Sequence, residues 1–484
     1  MKNPPLKQWI LLVVLLGISV GLTSQITPKS RLIVLTDIEA DPDDSQTLIR
    51  LLLYSNQIEI EGLIATTSVH QKERVAPETI RKILEAYGKV QPNLLKHEPG
   101  YPSSVELLSL VKQGLPVYGI EGVGKGKDSE GSEWIIKALE KSDNRVVWIS
   151  VWGGPNTLAQ ALWKIKETKS ATEANRLISK IRVYTISDQD DSGAWMRKTF
   201  PDLFYIVSPG SYGTATWSAI NSTFPGANNE VISNSWLATN IQQGHGPLGA
   251  LYPDVAYGME GDTPAWLMLI QNGLNNPDHP EWGSWGGRYA LYKPAPSVQP
   301  VNPMFTGGVP VEPETRPIWT NTDDSFTPRI PNHYGRAIRR DTGTYTGNKV
   351  TLWRWREDFQ NDFAARMDWC TMSFEDANHP PVAIVNQPEQ LTVKSGDFFK
   401  LDADGSYDPD GDNLSYWWFQ YPEAGTYKGM VNFGPYSENL YNMHTVKAPE
   451  VENPQTVHFI LKVTDKGTPA LSRYKRVIVT LVPK

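Results

Sequence analysis

Leu32-Ile33-Val34-Leu35-Thr36-Asp37-Ile38-Glu39-Ala40-Asp41-Pro42-Asp43-Asp44-Ser45-Gln46-Thr47-Leu48-Ile49-Arg50-Leu51-Leu52-Leu53 reads as an apolar strand, an acidic turn and a helix with an apolar stripe. Five carboxylates fall within the eight residues 37–44. So much negative charge at the end of an apolar strand repels itself unless a cation, a ligand or a proton offsets it. A solvated acidic turn is the alternative, and the apolar segments on either side argue against it. Strand, loop and helix together place the acids at a strand's carboxyl end, where open α/β sheets keep their ligands. Hard divalent cations take several oxygens from such a compact loop, and a carboxylate beside the cation can hold or deprotonate a water.

Working outward, the pattern alternates strand and helix. Strands are expected at 32–35, 58–64, 115–118, 146–151 and 181–186, with helices at 45–55, 75–87, 131–140 and 156–168. This is an α/β fold with a mainly parallel sheet flanked by helices. Aromatics, glycine and proline dominate residues 211–375, where helices are expected only near 263–271 and 356–367. We read that stretch as large loops completing a first domain over 31–376. At Asn378-His379-Pro380-Pro381 the character changes to short alternating segments, at 382–385, 390–393, 398–401, 414–421, 457–463 and 474–481. They predict a small all-β immunoglobulin-like sandwich over 380–484. Within it, one of Trp417 and Trp418 must face inward, because successive strand residues point to opposite faces.

The 484 residues carry a net charge of −7 and no basic patch, which excludes nucleic acid as a partner. The 17 Trp and 20 Tyr either stack on sugar faces or fill a large core. Lys2 and Lys7 precede an apolar run from Trp9 to Gly21 and a small, polar exit through Gln25. That is a signal peptide over residues 1–24 and predicts an exported chain, periplasmic or extracellular, with no stable membrane insertion after cleavage. Cys370 is the single cysteine, so an internal disulfide is ruled out and a buried thiol is expected.

The acidic turn resembles that of the nucleoside hydrolases, whose first strand ends in an Asp-x-Asp-x-x-x-Asp-Asp signature. The matching positions here are Asp37, Glu39, Asp43 and Asp44. Glu61-Gly62-Leu63-Ile64-Ala65-Thr66-Thr67 is similar to that family's second strand, and Trp148-Ile149-Ser150-Val151-Trp152-Gly153-Gly154-Pro155-Asn156 to its glycine-rich turn. Glu260-Gly261-Asp262-Thr263-Pro264 offers the late acidic ligand, with Gly261 where that family usually has histidine. The resemblance implies a bound Ca2+ held by Glu39, Asp44, the backbone carbonyl of Trp152 and Asp262. It also implies a base at position 39, where this chain has glutamate instead of aspartate, with Asp43 beside it and Asp37 on the substrate. Asp41 is an extra acid, either a further ligand or a surface residue of the turn.

A closer resemblance is to exported cellulose-binding, nucleoside hydrolase-like proteins with an immunoglobulin-like C-terminal domain. It rests on Tyr184-Thr185-Ile186-Ser187-Asp188-Gln189-Asp190-Asp191, on Gly244-His245-Gly246-Pro247 and on Trp282-Gly283-Ser284-Trp285-Gly286-Gly287-Arg288. Asp188, Asp190 or Asp191 would face the acidic turn as general acid or as hydroxyl clamps, or would simply cap a turn. His245, set between glycines, is either a proton carrier or a structural loop residue. Trp282, Trp285 and Arg288 either stack and bond a sugar or fill core. Trp353-Arg354-Trp355-Arg356 reads as cation–π packing.

Three readings follow. The first is a calcium-dependent glycosidase acting on polysaccharide-derived glycosides, with Glu39 or a neighbouring aspartate activating water and Asp190 or His245 protonating the leaving oxygen. The second is a carbohydrate-binding protein that keeps the calcium site without cleaving. The third is nucleoside hydrolysis. The glutamate at position 39 favours the second.

Overall fold

The structure is a computed structural model and describes residues 28–209, 216–295, 309, 312–331, 337–339, 343–433 and 441–484. The expected signal peptide lies outside the described residues. None of the described helices is long and apolar enough to cross a membrane.

The first strand β1 (Ser30–Thr36) leads through the acidic turn into α1 (Asp43–Leu52), and then come β2 (Ile58–Ala65), α2 (Pro77–His97), α3 (Ser104–Ser109) and β3 (Val111–Gln113). The chain continues with α4 (Glu130–Glu140), β4 (Val147–Val151), α5 (Asn156–Thr168), α6 (Ala171–Ile178), β5 (Ile181–Thr185), α7 (Ser192–Thr199) and β6 (Phe204–Val207). Two later strands, β7 (Tyr289–Tyr292) and β8 (Ile318–Asn321), complete one eight-stranded sheet in the order β3-β2-β1-β4-β5-β6-β8-β7. All of its pairings are parallel except β7 with β8. In β1, Leu32 and Val34 enter one apolar core and Ile33 and Leu35 the other, which is why this strand reads as a continuous apolar run.

Strand order reverses direction between β1 and β4. The loops leaving those two strands therefore part to opposite faces of the sheet and leave a crevice between them. Leu35 pairs with Val151, so Asp37 and Gly153 leave the sheet side by side. The sequence placed the third strand at 115–118, but it forms at Val111–Gln113. A three-residue edge strand carries too little periodicity to locate.

Short strands β9 (Asp324–Phe326), β10 (Arg329–Pro331), β11 (Ala337–Arg339) and β12 (Tyr345–Gly347) precede the helix Arg356–Asp368. The C-terminal part is all β. Strands β13 (Gln390–Lys394), β15 (Ser415–Gln420), β17 (Gln455–Thr464) and β18 (Ser472–Val482) form one sheet, ordered β13-β18-β17-β15. The pair β14 (Phe398–Asp402) and β16 (Met443–Lys447) forms the other. Leu401 and Val446 from the small sheet share a buried core with Trp418, Phe459, Leu461, Val477 and Val479 from the large one. Residues 382–385, expected as a strand, make only an isolated bridge from Val382 to Tyr407.

The two parts are joined by buried ionic contacts. Asp358 on the long helix accepts hydrogen bonds from Lys462, Ser472 and Tyr474, and Arg473 pairs with Asp362 at 2.6 Å. Arg476 donates to the carbonyls of Leu274 and Gly283.

Candidate functional site

The acidic turn is built by its own short-range bonds. Ala40 N–H donates to Asp37 O at 2.9 Å, Ile38 N–H to Thr36 Oγ1 at 3.1 Å, and Asp43 N–H to Asp41 Oδ1 at 2.9 Å. Asp43 and Asp44 occupy the first turn of α1, where the helix dipole favours negative charge. Thr36 Oγ1 donates to Asp44. Asp262 is brought in by a buried clamp, in which Arg50 of α1 forms an ion pair with Glu260 at 2.6 Å and the hydroxyls of Tyr252 and Thr263 donate to Glu260.

Asp37, Asp43, Asp44 and Asp262 are at most 4% exposed and, with Asp41, line one small pocket. Carboxylate oxygens of Asp41, Asp43 and Asp44 lie within 4.8 Å of one another. Burial pushes the Asp37 carboxyl up to about 7, with the charge of Asp41 adding to it. Burial also holds Asp43, Asp44 and Asp262 well above the usual carboxylate range, and each is raised further by its acidic neighbours. The pocket volume is about 30 Å³, room for an ion or a water and too little for a sugar ring.

The glycine-rich turn fits between two acids. A Cβ on Gly153 would press on Asp37, and one on Gly154 would press on Asp190. Trp152 borders the pocket, and its carbonyl accepts from Gln189 Nε2. Gln189 also lines the pocket, and its buried Oε1 has no hydrogen-bond partner. An orphaned buried oxygen among carboxylates is a donor set suited to a hard, oxygen-seeking cation, so the residues present fit calcium.

Glu39 stands outside this nest, against the expectation that it ligates calcium or serves as base. Its backbone is left-handed, φ 81°, and its side chain is partly exposed, bonded by Arg74 and Thr79. The Thr79 hydroxyl, then the Arg74 guanidinium, hold its carboxyl below the usual range.

The other expected residues lie apart from the pocket lining. Asp188 forms a bidentate pair with Arg197, both bonds at 2.8 Å. Asp190 is fully buried, accepts from the backbone N–H of Asn156 and from Ser192, and so anchors the start of α5. Asp191 accepts from Ile120 N–H at 2.8 Å. His245 packs against the long helix and pairs with Asp368 at 2.9 Å.

The tryptophan and arginine cluster serves the joint with the C-terminal sheets instead of a sugar. Trp282 stacks on His279 and meets His458 edge-on, with Arg476 over its ring. Trp285 is fully buried, 3.4 Å from Tyr474 Oη, and Arg288 pairs with buried Asp324, which also accepts from Tyr421.

Three pocket residues escaped the sequence reading, Gln189, His70 and Trp217. The Trp217 Nε1–H donates to Asp43 Oδ2 at 3.0 Å. Gly261 was the signal for it, because a Cβ there would overlap the indole.

Residues 31–289 match the family described as cellulose-binding Sde182, nucleoside hydrolase-like domain, and residues 398–481 match the cellulose-binding protein Sde0182, C-terminal domain. Among solved structures, the chain is similar to a nucleoside hydrolase-related hypothetical protein from Saccharophagus degradans, described as associated with carbohydrate metabolism. The two are 36% identical with a TM-score of 0.77, covering 94% of this chain and all of that one. CopC from Methylosinus trichosporium OB3b overlaps 21% of this chain and 94% of its own length, at 12% identity and a TM-score of 0.13, too loose to carry an argument. No curated protein matches the chain.

Proposed function

The chain belongs to the family of cellulose-binding Sde182 proteins with a nucleoside hydrolase-like domain, and from that premise we propose an exported carbohydrate-binding protein whose acidic nest holds calcium and does not hydrolyse. One observation carries this reading. The carboxylate at position 39, the expected base, is turned out of the nest, paired with Arg74 and hydrogen-bonded by Thr79. The expected acids are committed too, Asp188 to Arg197, Asp190 to Asn156 and Ser192, Asp191 to Ile120, and His245 to Asp368.

Asp41, Asp43 and Asp44 would hold the cation, with Asp37, Asp262 and Gln189 Oε1 closing around it. Calcium would offset their repulsion and offer remaining coordination positions to sugar hydroxyls. Trp217 and His70 line the same pocket, so a sugar would meet an aromatic face as it approached.

A glycosidase remains the second reading, favoured by one carboxyl inside the nest, Asp37, that takes a proton near neutral pH. The deciding experiment incubates the protein with insoluble cellulose, soluble plant polysaccharides, p-nitrophenyl furanosides, inosine and uridine, with and without chelator. Retention on polysaccharide with no soluble product is the expected result. Calcium-dependent release of reducing sugar would replace it with the glycosidase, and release of free base with a nucleoside hydrolase.

A further inference from the structure

A second hollow lies along the seam between the α/β part and the C-terminal sheet. Two contiguous depressions share Phe326, Arg354 and Trp417, and the larger encloses about 530 Å³. That volume is within the about 300–1,000 Å³ of ordinary ligand sites, and the seam between two packed units is where such sites concentrate. The acidic nest, at about 30 Å³, cannot take a sugar ring in the same way.

Strand alternation builds one wall. β15 is the edge strand of its sheet, and Trp418 is fully buried in the sandwich core. Trp417 and Phe419 therefore face the other side, their rings 4.5 Å apart, and both line the hollow. Phe326 of β9 lines the same hollow. Arg354 lies between, stacked at 4.9 Å from Phe326 and 4.5 Å from Tyr421, and paired with Asp324 at 3.1 Å.

The walls also carry polar side chains, Ser325, Thr327, Gln420 and Glu423 among them, and Glu423 Oε1 accepts from Ser325 N–H at 2.9 Å. The walls carry charges of both signs in balance, Arg354, Arg356 and Lys462 against Glu357, Asp358 and Glu423, so neither an anionic nor a cationic ligand is favoured.

We propose that this groove binds a neutral hexopyranose chain, its flat apolar faces stacked on Trp417 and Phe419 and its hydroxyls bonded along the polar walls. A hexopyranose presents an apolar face and a hydroxyl rim together, which is the combination these walls supply. Two contiguous depressions that share Trp417 offer places for more than one ring of a sugar chain. The proposal rests on the carbohydrate-binding reading and assigns chain recognition to a place apart from the calcium nest.

The test uses the full chain and calorimetric titration with cellohexaose and mannohexaose. Trp417→Ala should weaken binding by roughly tenfold or more, the size of a lost aromatic stack, and Trp417→Tyr should keep most of it. Glu173→Gln, a change on the exposed face of α6 where Glu173 pairs with Arg176, should leave oligosaccharide affinity within about twofold. In the unaltered protein, bound oligosaccharide should protect Trp417 from N-bromosuccinimide, read by mass spectrometry, which removes any dependence on a variant's folding. If the protein binds a hexaose yet Trp417→Ala binds equally well, or Trp417 stays unprotected, the groove assignment is overturned and the carbohydrate reading stands. If none of the hexaoses and no polysaccharide binds, both are overturned.

Discussion

The Trp217 indole occupies the space that a Cβ on residue 261 would need, and its N–H reaches 3.0 Å to Asp43. The two facts are one arrangement, since a bare backbone at 261 is what admits the ring over the nest. Replacing Gly261 by alanine should cost about 1–3 kcal/mol of stability, the usual price of overpacking. Trp217→Phe keeps an aromatic side chain but loses the pyrrole ring and its bond to Asp43, and should cost about 1–3 kcal/mol. Urea unfolding in chelator measures both. A neutral Gly261→Ala would show that the ring does not sit there.

Calcium should stabilise the protein more as pH rises. Asp37, Asp43, Asp44 and Asp262 all bind protons more tightly folded than unfolded, Asp37 up to about 7. Groups with raised folded pKa values make cation-free stability fall as pH climbs from about 4 through 7. A cation needs those carboxylates ionised and offsets their repulsion, so its benefit grows over the same range. The rise in Tm on adding calcium should be small at about pH 5 and large at about pH 8. A rise that stays constant or shrinks between those pH values would sink the calcium nest.

Glu39→Gln should change little. Its pair with Arg74 is partly solvated, 36% and 57% exposed, and such pairs contribute about 0–1 kcal/mol. Calcium affinity should stay within about threefold, whereas Asp44→Asn, which removes a buried carboxylate from the nest, should lower it at least about tenfold. Equal losses in the two variants, by calorimetry, would put Glu39 back among the ligands.

The strand, turn and helix of residues 32–53 were legible because one apolar period changes into another across a run of acids; strand-end geometry pointed to the acids of that turn, the family resemblance to Trp152 and Asp262, and the structure brings Asp37, Asp44, Trp152 and Asp262 to one pocket. Gln189 was quoted and passed over. A neutral amide between Asp188 and Asp190 draws no notice, yet it is the residue that lines the pocket while its acidic neighbours are tied to Arg197 and Asn156. Trp217 comes from a segment with no periodicity, and only Gly261 betrayed it. For Trp282, Trp285 and Arg288 the sequence left sugar contact and core filling open, because an aromatic and basic cluster looks the same whether it faces a sugar or a neighbouring sheet. Strand β16 was missed because only His444 and Val446 of its five residues are buried, too few for an apolar alternation to register.

Asp358 is the residue on which the joint between the two parts turns. It lies on the long helix and accepts from Lys462, Ser472 and Tyr474 at one end of the β17–β18 pair, where Lys462 and Tyr474 stand opposite each other. Tyr474 in turn packs on Trp285 and Trp355, so the carboxylate holds an aromatic cluster as well as a charge. Removing one partner of a buried charged network leaves the others unpaired, at about 3–5 kcal/mol. Asp358→Ala should therefore lower Tm and split a single calorimetric transition into two, with the C-terminal sheets melting apart from the α/β part. The Trp417 groove shares Asp358 and Lys462 on its walls, so the same variant should also weaken hexaose binding. A variant that still melts in one step at an unchanged temperature would show that the joint is held elsewhere along the seam.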